Sequence, residues 1–332
     1  QCFFVKYKKP DPKLEISVRD LDPKLQKLWT ESDGARAKEW SKLQEGGAIK
    51  VWRGNDARAL RKTFHDRIVT TRWHEKWKDM GDDYNNGLST EVLAREDITS
   101  HMGAKSRWIM QGFTDPDISL LNRTVPTPTS EDLMLALQLI ASIRGNAGIS
   151  DVSSAFGQSI KGLRGKDTQG NDRRLFADVP PEGLPGEDDD VLLELLTEIY
   201  GLVFGPPGWR RTLLSKFKDP SFSRHPLAPC VVCMYETIGQ QKDTLSGVVV
   251  IETDDLLFGG YGPKYLQGLE ILRKSFKFGA WHDLQVAPKQ YGGVTLFQKK
   301  DYGFEVNMSR YLRDHARSIR IERGRGGPRD PN

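Results

Sequence analysis

Three aspartates occupy positions from which carboxylates could hold a divalent cation. Asp151 follows an apolar, strand-like approach, and Asp254 and Asp255 follow the strongly apolar run at 247–251. Carboxylates at strand ends allow two strands to present oxygen ligands to one ion, and Mg²⁺ prefers oxygen ligands while leaving sites for substrate phosphates. A pair of such ions about 4 Å apart can activate an attacking hydroxyl and stabilise a leaving pyrophosphate. An aspartate at a strand end also commonly caps a turn, so both roles stay open at this point.

Other patterns that support chemistry are incomplete in this sequence. No glycine-rich stretch has the dinucleotide or phosphate-loop spacing, and no Gly-x-Ser-x-Gly nucleophile elbow occurs. His74-Glu75 opens like a zinc-protease motif, but Lys78 stands where the second histidine is required. Cys230 and Cys233 have a zinc-like spacing without a second ligand pair, and their surroundings fit a buried strand better. These patterns leave the aspartates as the strongest candidates for chemistry.

Composition sets broad limits on the class of protein. The 332 residues are 37% apolar and 28% charged, which predicts a folded protein of one large domain or two or three subdomains. The net charge of +4 identifies no partner, because the location of the charge matters more than its sum. No apolar run reaches the roughly 18 residues of a membrane helix, so we expect no span. Three cysteines favour a reducing, intracellular compartment, and a first residue other than Met suggests a piece of a longer protein.

The elements that must position the aspartates can be outlined from hydrophobic periodicity. Helices are predicted over 35–43, 130–143, 191–200, 209–217, 265–276 and 309–319. Strands are predicted over 67–78, 105–113, 149–152, 230–236 and 245–252, with a hairpin over 293–306. The helix at 130–143, with a cap at Thr129 or Ser130, is apolar nearly all round, which predicts that it is buried. The high content of Gly, Pro and charged residues over 157–190 predicts an excursion made mainly of loops. The Gly-Pro-Pro-Gly run at 205–208 is expected to separate two helices.

Six short motifs occur in one order along the chain. They are TRW with Lys76 at 71–76, KSRWIMQGF at 105–113, DVSSAF at 151–156, PEGL at 181–184, YGLVFGPPGW at 200–209 and DDLL at 254–257. In order and spacing this set resembles the reverse transcriptase of copia-type long-terminal-repeat retrotransposons, over roughly 35–319. The family's first catalytic motif is Asp-Val-Lys-(Thr/Ser)-Ala-Phe, and its second is an Asp-Asp box.

The resemblance implies a role for the acids and for two basic residues. Asp151 and Asp254 would be the principal ligands of two Mg²⁺ ions, for which Mn²⁺ could substitute. Asp255 would be a weaker ligand or a neighbouring acid. Lys105 and Arg107 would hold the incoming triphosphate, because charge-assisted contacts suit phosphate. The alternative for these two residues is a solvated face of a hairpin.

The resemblance also implies roles in selecting the sugar and gripping nucleic acid. Phe156 would form an aromatic wall that excludes a ribose 2′-hydroxyl, and an ordinary core phenylalanine is the alternative. Trp209 would shape the wall near primer or template, with core packing as its alternative. Arg313 and Arg317 would track a nucleic-acid backbone through salt-sensitive contacts that carry no sequence information.

The chain departs from the family pattern beside its acids and at several basic positions. Glu252 and Thr253 stand where the family has Tyr or His and then Val, and an added carboxylate can raise a pKa or disturb metal geometry. Gln111, Val203 and Pro207 replace basic residues. These departures support an alternative function, a catalytically inactive nucleic-acid-binding remnant. A metal-dependent phosphohydrolase using the same acids is a third hypothesis, but it leaves the other motifs unexplained.

The fold implied by the resemblance is an α+β right-hand polymerase, with fingers, a palm that carries an antiparallel sheet, and a small thumb. The expected boundaries are an extended lead-in over 1–34, fingers over 35–112, palm over 113–261, thumb or connection over 262–320 and a basic disordered tail over 321–332. The expected reaction is template-directed DNA synthesis on an RNA or DNA template. Its partners would be a primer-template and deoxynucleoside triphosphates, with no membrane partner and no indicated oligomeric state.

Overall fold

The computed structural model describes the chain as two compact units. The described residues are 15–80, 84–121, 124–163, 165–238 and 241–309, together with Leu312. Unit 1 comprises Gln1–Val125 and Ser154–Phe217, and unit 2 comprises Pro126–Ser153 and Lys218–Asn332. Both units combine helices with sheet that is almost entirely antiparallel. The α+β class predicted from the sequence is therefore confirmed.

Helices and strands alternate irregularly along the described ranges. The helices are α1 (Pro23–Thr30), α2 (Ala35–Glu45), α3 (Gly54–Thr63), α4 (Thr90–Glu96), α5 (Ser130–Ser142), α6 (Gly205–Leu214) and α7 (Gly262–Ser275). The strands are β1 (Ile49–Trp52), β2 (Ile68–Val69), β3 (Thr71–Asp79), β4 (Met102–Met110), β5 (Asn146–Asp151), β6 (Phe176–Ala177), β7 (Leu192–Leu195), β8 (Phe222–His225), β9 (Ala228–Ile238), β10 (Gln241–Glu252), β11 (Asp255–Gly260), β12 (His282–Asp283), β13 (Lys289–Tyr291), β14 (Val294–Gln298) and β15 (Phe304–Asn307).

Unit 1 contains a four-stranded sheet and a separate two-stranded hairpin. The sheet has the order β1-β7-β6-β2. The hairpin predicted from the sequence is present, with β3 antiparallel to β4 along their whole length. Helix α2 packs on this hairpin through a buried ion pair, in which Arg36 Nε donates to Glu75 Oε1 at 2.7 Å. The rings of Trp40 and Trp108 meet edge to face in the same contact, so the hairpin is fixed on a packed helix.

Unit 2 is built on a six-stranded sheet with the order β12-β5-β11-β10-β9-β8. Helices α5 and α7 lie on opposite faces of this sheet, because successive residues of a strand point to opposite sides. A Cβ built on Gly259 would lie 2.5 Å from Ile140 of α5, and one on Gly260 would lie 2.7 Å from Tyr265 of α7. A three-stranded sheet, β13-β14-β15, includes the hairpin predicted over 293–306.

Two helix predictions near the middle of the chain need correction. Residues 191–200 were predicted to be helical, but they contain the strand β7, whose four residues are all buried between β1 and β6. A short apolar run is typical both of a strand buried on both faces and of a buried helix, so hydrophobic periodicity alone does not distinguish the two structures. Residues 205–208 do not separate two helices either. They begin α6, since proline is well tolerated in the first turn of a helix.

Two further predictions differ from the structure. Helix α5 is capped at Thr129, one of the two caps that the sequence predicts, but it packs on one sheet face, so Met134 and Leu135 remain about half exposed. The lead-in over 1–34 contains α1 rather than only extended chain, and its first 14 residues lie outside the described part. Residues 113–261 contribute to both units, and the predicted division into fingers, palm and thumb stays a prediction. Over the described residues, no helix combines the length and apolarity needed to cross a bilayer.

Candidate active site

The three predicted acids lie at one end of the unit 2 sheet. Asp151 ends β5 and Asp255 begins β11, and the two residues stand directly opposite each other in the antiparallel pair. Asp254 lies in the turn between β10 and β11, where its carbonyl accepts a hydrogen bond from Val152 N at 2.8 Å. The structure therefore brings together residues that are a hundred positions apart in sequence.

The turn that carries Asp254 is short and constrained. Glu252 and Asp255 are paired residues of β10 and β11, so only Thr253 and Asp254 connect the two strands. Thr253 has φ of 52°, in the left-handed region that a β-branched residue seldom adopts. Fully buried strand residues on both sides of the turn hold it in place. Asp254 and Asp255 therefore stand on a packed hairpin rather than on a free loop.

The carboxylates at this end of the sheet repel one another. Partial desolvation, followed by the charges of Asp254, Asp151 and Glu252, raises the pKa of Asp255 to about 6, and Lys289 acts in the opposite direction. Desolvation and then Asp254 also raise the pKa of Glu252. Water screens part of this repulsion, because Asp255 is exposed at the surface. The site thus concentrates negative charge that a cation would neutralise.

Gly279 supports Asp151, although nothing in its local sequence marks it. Its N–H donates to the carbonyl of Asp151 at 2.9 Å. A Cβ built on Gly279 would lie 2.6 Å from Asp151 Oδ1, so a larger residue there would displace the carboxylate. Lys289 was also missed by the sequence analysis, because its proximity to Asp255 arises from the fold and not from spacing.

The acid cluster suits a divalent cation in its donor chemistry. Its oxygens are of the type that Mg²⁺ prefers, and a bound cation would relieve the repulsion that raises the pKa of Asp255. Among the residues that the structure describes, however, no group of three or more His, Cys, Asp or Glu side chains is positioned to hold a metal ion. Binding of Mg²⁺ or Mn²⁺ therefore stays a prediction.

Lys105 and Arg107 lie on one face of β4 in unit 1. They alternate with the buried Ser106 and Trp108 and are themselves half buried, so they do not form the freely solvated face considered above. Desolvation, and then the charges of Lys78 and Arg107, lowers the pKa of Lys105 to about 8. The charge of Glu39 acts in the opposite direction on the pKa of Lys105, but Lys76 adds to the surrounding cations, so this half-buried ammonium is suited to receive an anion.

The aromatic residues of unit 1 extend this basic face. The Arg107 guanidinium lies 4.8 Å from the ring centroid of Tyr200, and the rings of Tyr200 and Phe156 meet at 4.8 Å. Tyr200 is held at the end of β4, where Met110 N donates to its carbonyl at 2.9 Å. Gly201 follows with φ of 91° and packs against Met110 O so closely that no side chain fits there. We call Lys105, Arg107, Tyr200 and Phe156 the basic-aromatic cluster.

The remaining predicted contact residues are not placed at a surface of the described structure. Trp209 lies in α6 with no exposed area, so its ring packs in the core and cannot itself face primer or template. The core-packing alternative considered from the sequence accounts for this residue. Arg313 and Arg317, and the basic tail over 321–332, lie outside the described residues.

The pH dependence of folding stability is expected to reflect the lowered pKa of Lys105. Its pKa is lower in the folded chain than in the unfolded chain, so protonated Lys105 destabilises the fold below about pH 8, and this penalty disappears as the pH rises toward 10.5. We expect Lys105→Met to be more stable than wild type at pH 7 by up to about 2 kcal/mol, and the difference to vanish near pH 10.5. Thermal unfolding from pH 7 to 10.5 measures this, with the exposed Lys38→Met as control. A difference independent of pH would contradict it.

Comparison with known proteins gives only distant structural similarity. No family model matches the chain, and no curated protein matches it. Telomerase from Candida albicans in complex with a TWJ fragment of telomeric RNA is 6% identical, with a TM-score of 0.39, over 82% of this chain and 49% of that chain. A foamy viral protease-reverse transcriptase in complex with double-stranded DNA is 11% identical, with a TM-score of 0.35, over 95% of this chain and 51% of that chain. The chain thus spans about half the length of each, and similarity at this level assigns it no activity.

Proposed function

We propose that this chain is a reverse transcriptase core of the copia type, which adds deoxynucleotides to a primer 3′-hydroxyl on an RNA or DNA template. The observation that carries the proposal is the placement of Asp151 opposite Asp255, with Asp254 in the adjoining turn. This arrangement matches the use of both acid motifs that the sequence resemblance implies. The right-hand layout of fingers, palm and thumb is part of the same proposal.

Each residue of the proposed site would take the role that the sequence resemblance implies. Asp151 and Asp254, with Asp255 beside them, would hold Mg²⁺, which when bound favours ionisation of the attacking hydroxyl and neutralises charge on the leaving pyrophosphate. Lys105 and Arg107 would bind and orient the triphosphate through charge-assisted hydrogen bonds. Phe156 would stand beneath the sugar. The burial of Lys105 strengthens its attraction to phosphate, since a desolvated charge is poorly screened.

Primer extension tests the proposal directly. The purified chain is incubated with a labelled primer on an RNA template, four deoxynucleoside triphosphates and Mg²⁺ or Mn²⁺. We expect products that lengthen by the complement of the template and stop where one nucleotide is withheld. Absence of template-directed products with both metals, on RNA and on DNA templates, would overturn the proposal.

Phe156 is expected to set the preference for deoxynucleotides. Replacing it with Ala opens space beside the sugar, so we expect incorporation of ribonucleotides to rise roughly 10-fold or more relative to deoxynucleotides. Single-nucleotide extension with matched dNTP and rNTP measures the ratio. Phe64→Ala, which removes a ring from a different aromatic contact of unit 1, is the control. An unchanged ratio would remove Phe156 from the site.

A second candidate function is a catalytically inactive remnant that still binds nucleic acid. The observation that favours it is Glu252, which stands opposite Asp255 and adds a carboxylate that the family pattern lacks. This function predicts binding of a primer-template that weakens with salt, without incorporation. Recovery of extension in Glu252→Tyr would identify the extra carboxylate as the cause of inactivity, whereas wild-type extension would exclude this function.

A further inference from the structure

Unit 2 contains a cavity that the acid cluster does not use. Its volume is about 400 Å³, within the range of small-molecule sites. The cavity opens at the start of β5 and the end of β11, where Asn146 is paired with Gly260. Asp151 and Asp255 are paired five residues further along the same strands, roughly 17 Å away at the usual rise per residue. The cavity and the acids therefore lie at opposite ends of one strand pair.

Four aromatic residues contribute to the walls of the cavity. They are Phe258 of β11, Tyr261 and Tyr265 at the start of α7, and Trp281 beside β12. The rings of Phe258 and Trp281 are in contact, with centroids 4.8 Å apart. Tyr261 remains 41% exposed at the opening, where a ligand could reach its ring. Such surfaces favour a flat aromatic ligand, because aromatic side chains stack on planar rings whatever substituents the rings carry.

One cation stands at the edge of these walls. The Arg273 guanidinium lies 4.0 Å from the ring centroid of Trp281. Within the described part of the chain no carboxylate forms an ion pair with it, whereas its neighbour Lys274 is paired with Glu270 at 2.7 Å. The one acid that lines the cavity, Asp283, already accepts a hydrogen bond from Gln285 N. Arg273 therefore keeps donors available for an anionic group, and a planar guanidinium suits phosphate.

We propose that this cavity is a second nucleotide-binding site, which stacks a base on its aromatic walls and pairs the phosphate with Arg273. The shared ligand chemistry is an aromatic ring joined to a phosphate. It is supplied either by a free mononucleotide or by one unpaired nucleotide of a single strand. The site is independent of the proposed polymerase activity, because none of its residues belongs to the acid or basic-aromatic clusters.

Calorimetric titration of the full chain tests the two halves of the ligand separately. The probes are adenosine monophosphate, adenosine, ribose 5-phosphate and a short single-stranded oligonucleotide. We expect adenosine monophosphate to bind at least about 10-fold more tightly than adenosine or ribose 5-phosphate, because each lacks one of the two contacts. An oligonucleotide that binds much more tightly than the mononucleotide identifies a strand as the source, and equal affinity identifies the free nucleotide.

Two variants locate the binding. Arg273→Gln removes the phosphate partner, and Leu266→Trp fills the opening at a residue that is 61% exposed and so tolerates a larger side chain. Each is expected to weaken binding about 10-fold or more, while Lys274→Gln, which removes the same charge one residue away, leaves it unchanged. Asp254→Asn should also bind normally, which separates this site from the acid cluster. No binding by any probe, or equal binding by wild type, Arg273→Gln and Leu266→Trp, would overturn the proposal.

Discussion

Asp254→Asn is expected to lower the rate of template-directed primer extension by a factor on the order of 10³ or more. The substitution removes one negative charge from the cluster at the end of β5 and β11 and retains the size of the side chain. The fold should persist, because Asp254 contacts Val152 through its backbone carbonyl and asparagine is well suited to turns. A loss of rate would therefore reflect the missing charge rather than unfolding.

The matched control for this variant is Asp301→Asn. Asp301 lies in the connection between β14 and β15 of the same unit, where it accepts a hydrogen bond from Gly303 N that asparagine can also accept. Extension should be unchanged in the control, which should unfold at the wild-type temperature, and Asp254→Asn should unfold at or above that temperature because it relieves repulsion among the acids. Equal extension by Asp254→Asn and wild type would show that any activity of the chain does not use this cluster.

The neighbourhood of the three acids could be predicted from the sequence because two kinds of signal agree. Apolar runs of strand length end at Asp151 and before Asp254, and antiparallel strands joined by a short turn bring such ends together. The hairpin of β3 and β4 was predictable for the same reason, since its side chains alternate between buried and partly exposed positions. An alternation of buried and exposed residues with a period of two predicts these strands from the local sequence alone.

The residues that escaped prediction depend on contacts between distant segments. Gly279 and Lys289 reach the acid cluster only when the segments after α7 return to β5, and no spacing in the sequence encodes that return. The sequence of β7 also fits a helix, because a run that is buried on both faces loses its period of two. Trp209 matched a family motif, but a motif gives no information on whether a ring faces solvent or core. Long-range packing, and not local propensity, decided each of these cases.

Asp117→Ala is expected to destabilise unit 1 by about 3–5 kcal/mol, the usual cost of removing one member of a buried ionic network. Asp117 has no exposed area and accepts hydrogen bonds from Arg67 Nη1 at 2.9 Å and from Arg173 Nε at 3.0 Å. Arg173 also pairs with Asp115, and both of these residues are buried. Removing the shared carboxylate leaves two guanidinium groups without their central acceptor, and the lost attraction far exceeds the lost packing of a small side chain.

Intrinsic fluorescence can follow this loss in urea, because seven of the eight tryptophans belong to unit 1. The matched control is Asp172→Ala. It removes a carboxylate from the exposed ion pair with Lys166, in the excursion over 157–190 that also contains Arg173, and should lower the free energy of unfolding by less than about 1 kcal/mol. Equal midpoints for the two variants would mean that the network adds no net stability. A large difference would show that the excursion over 157–190, although rich in glycine and proline, is anchored by Arg173 as an integral part of unit 1.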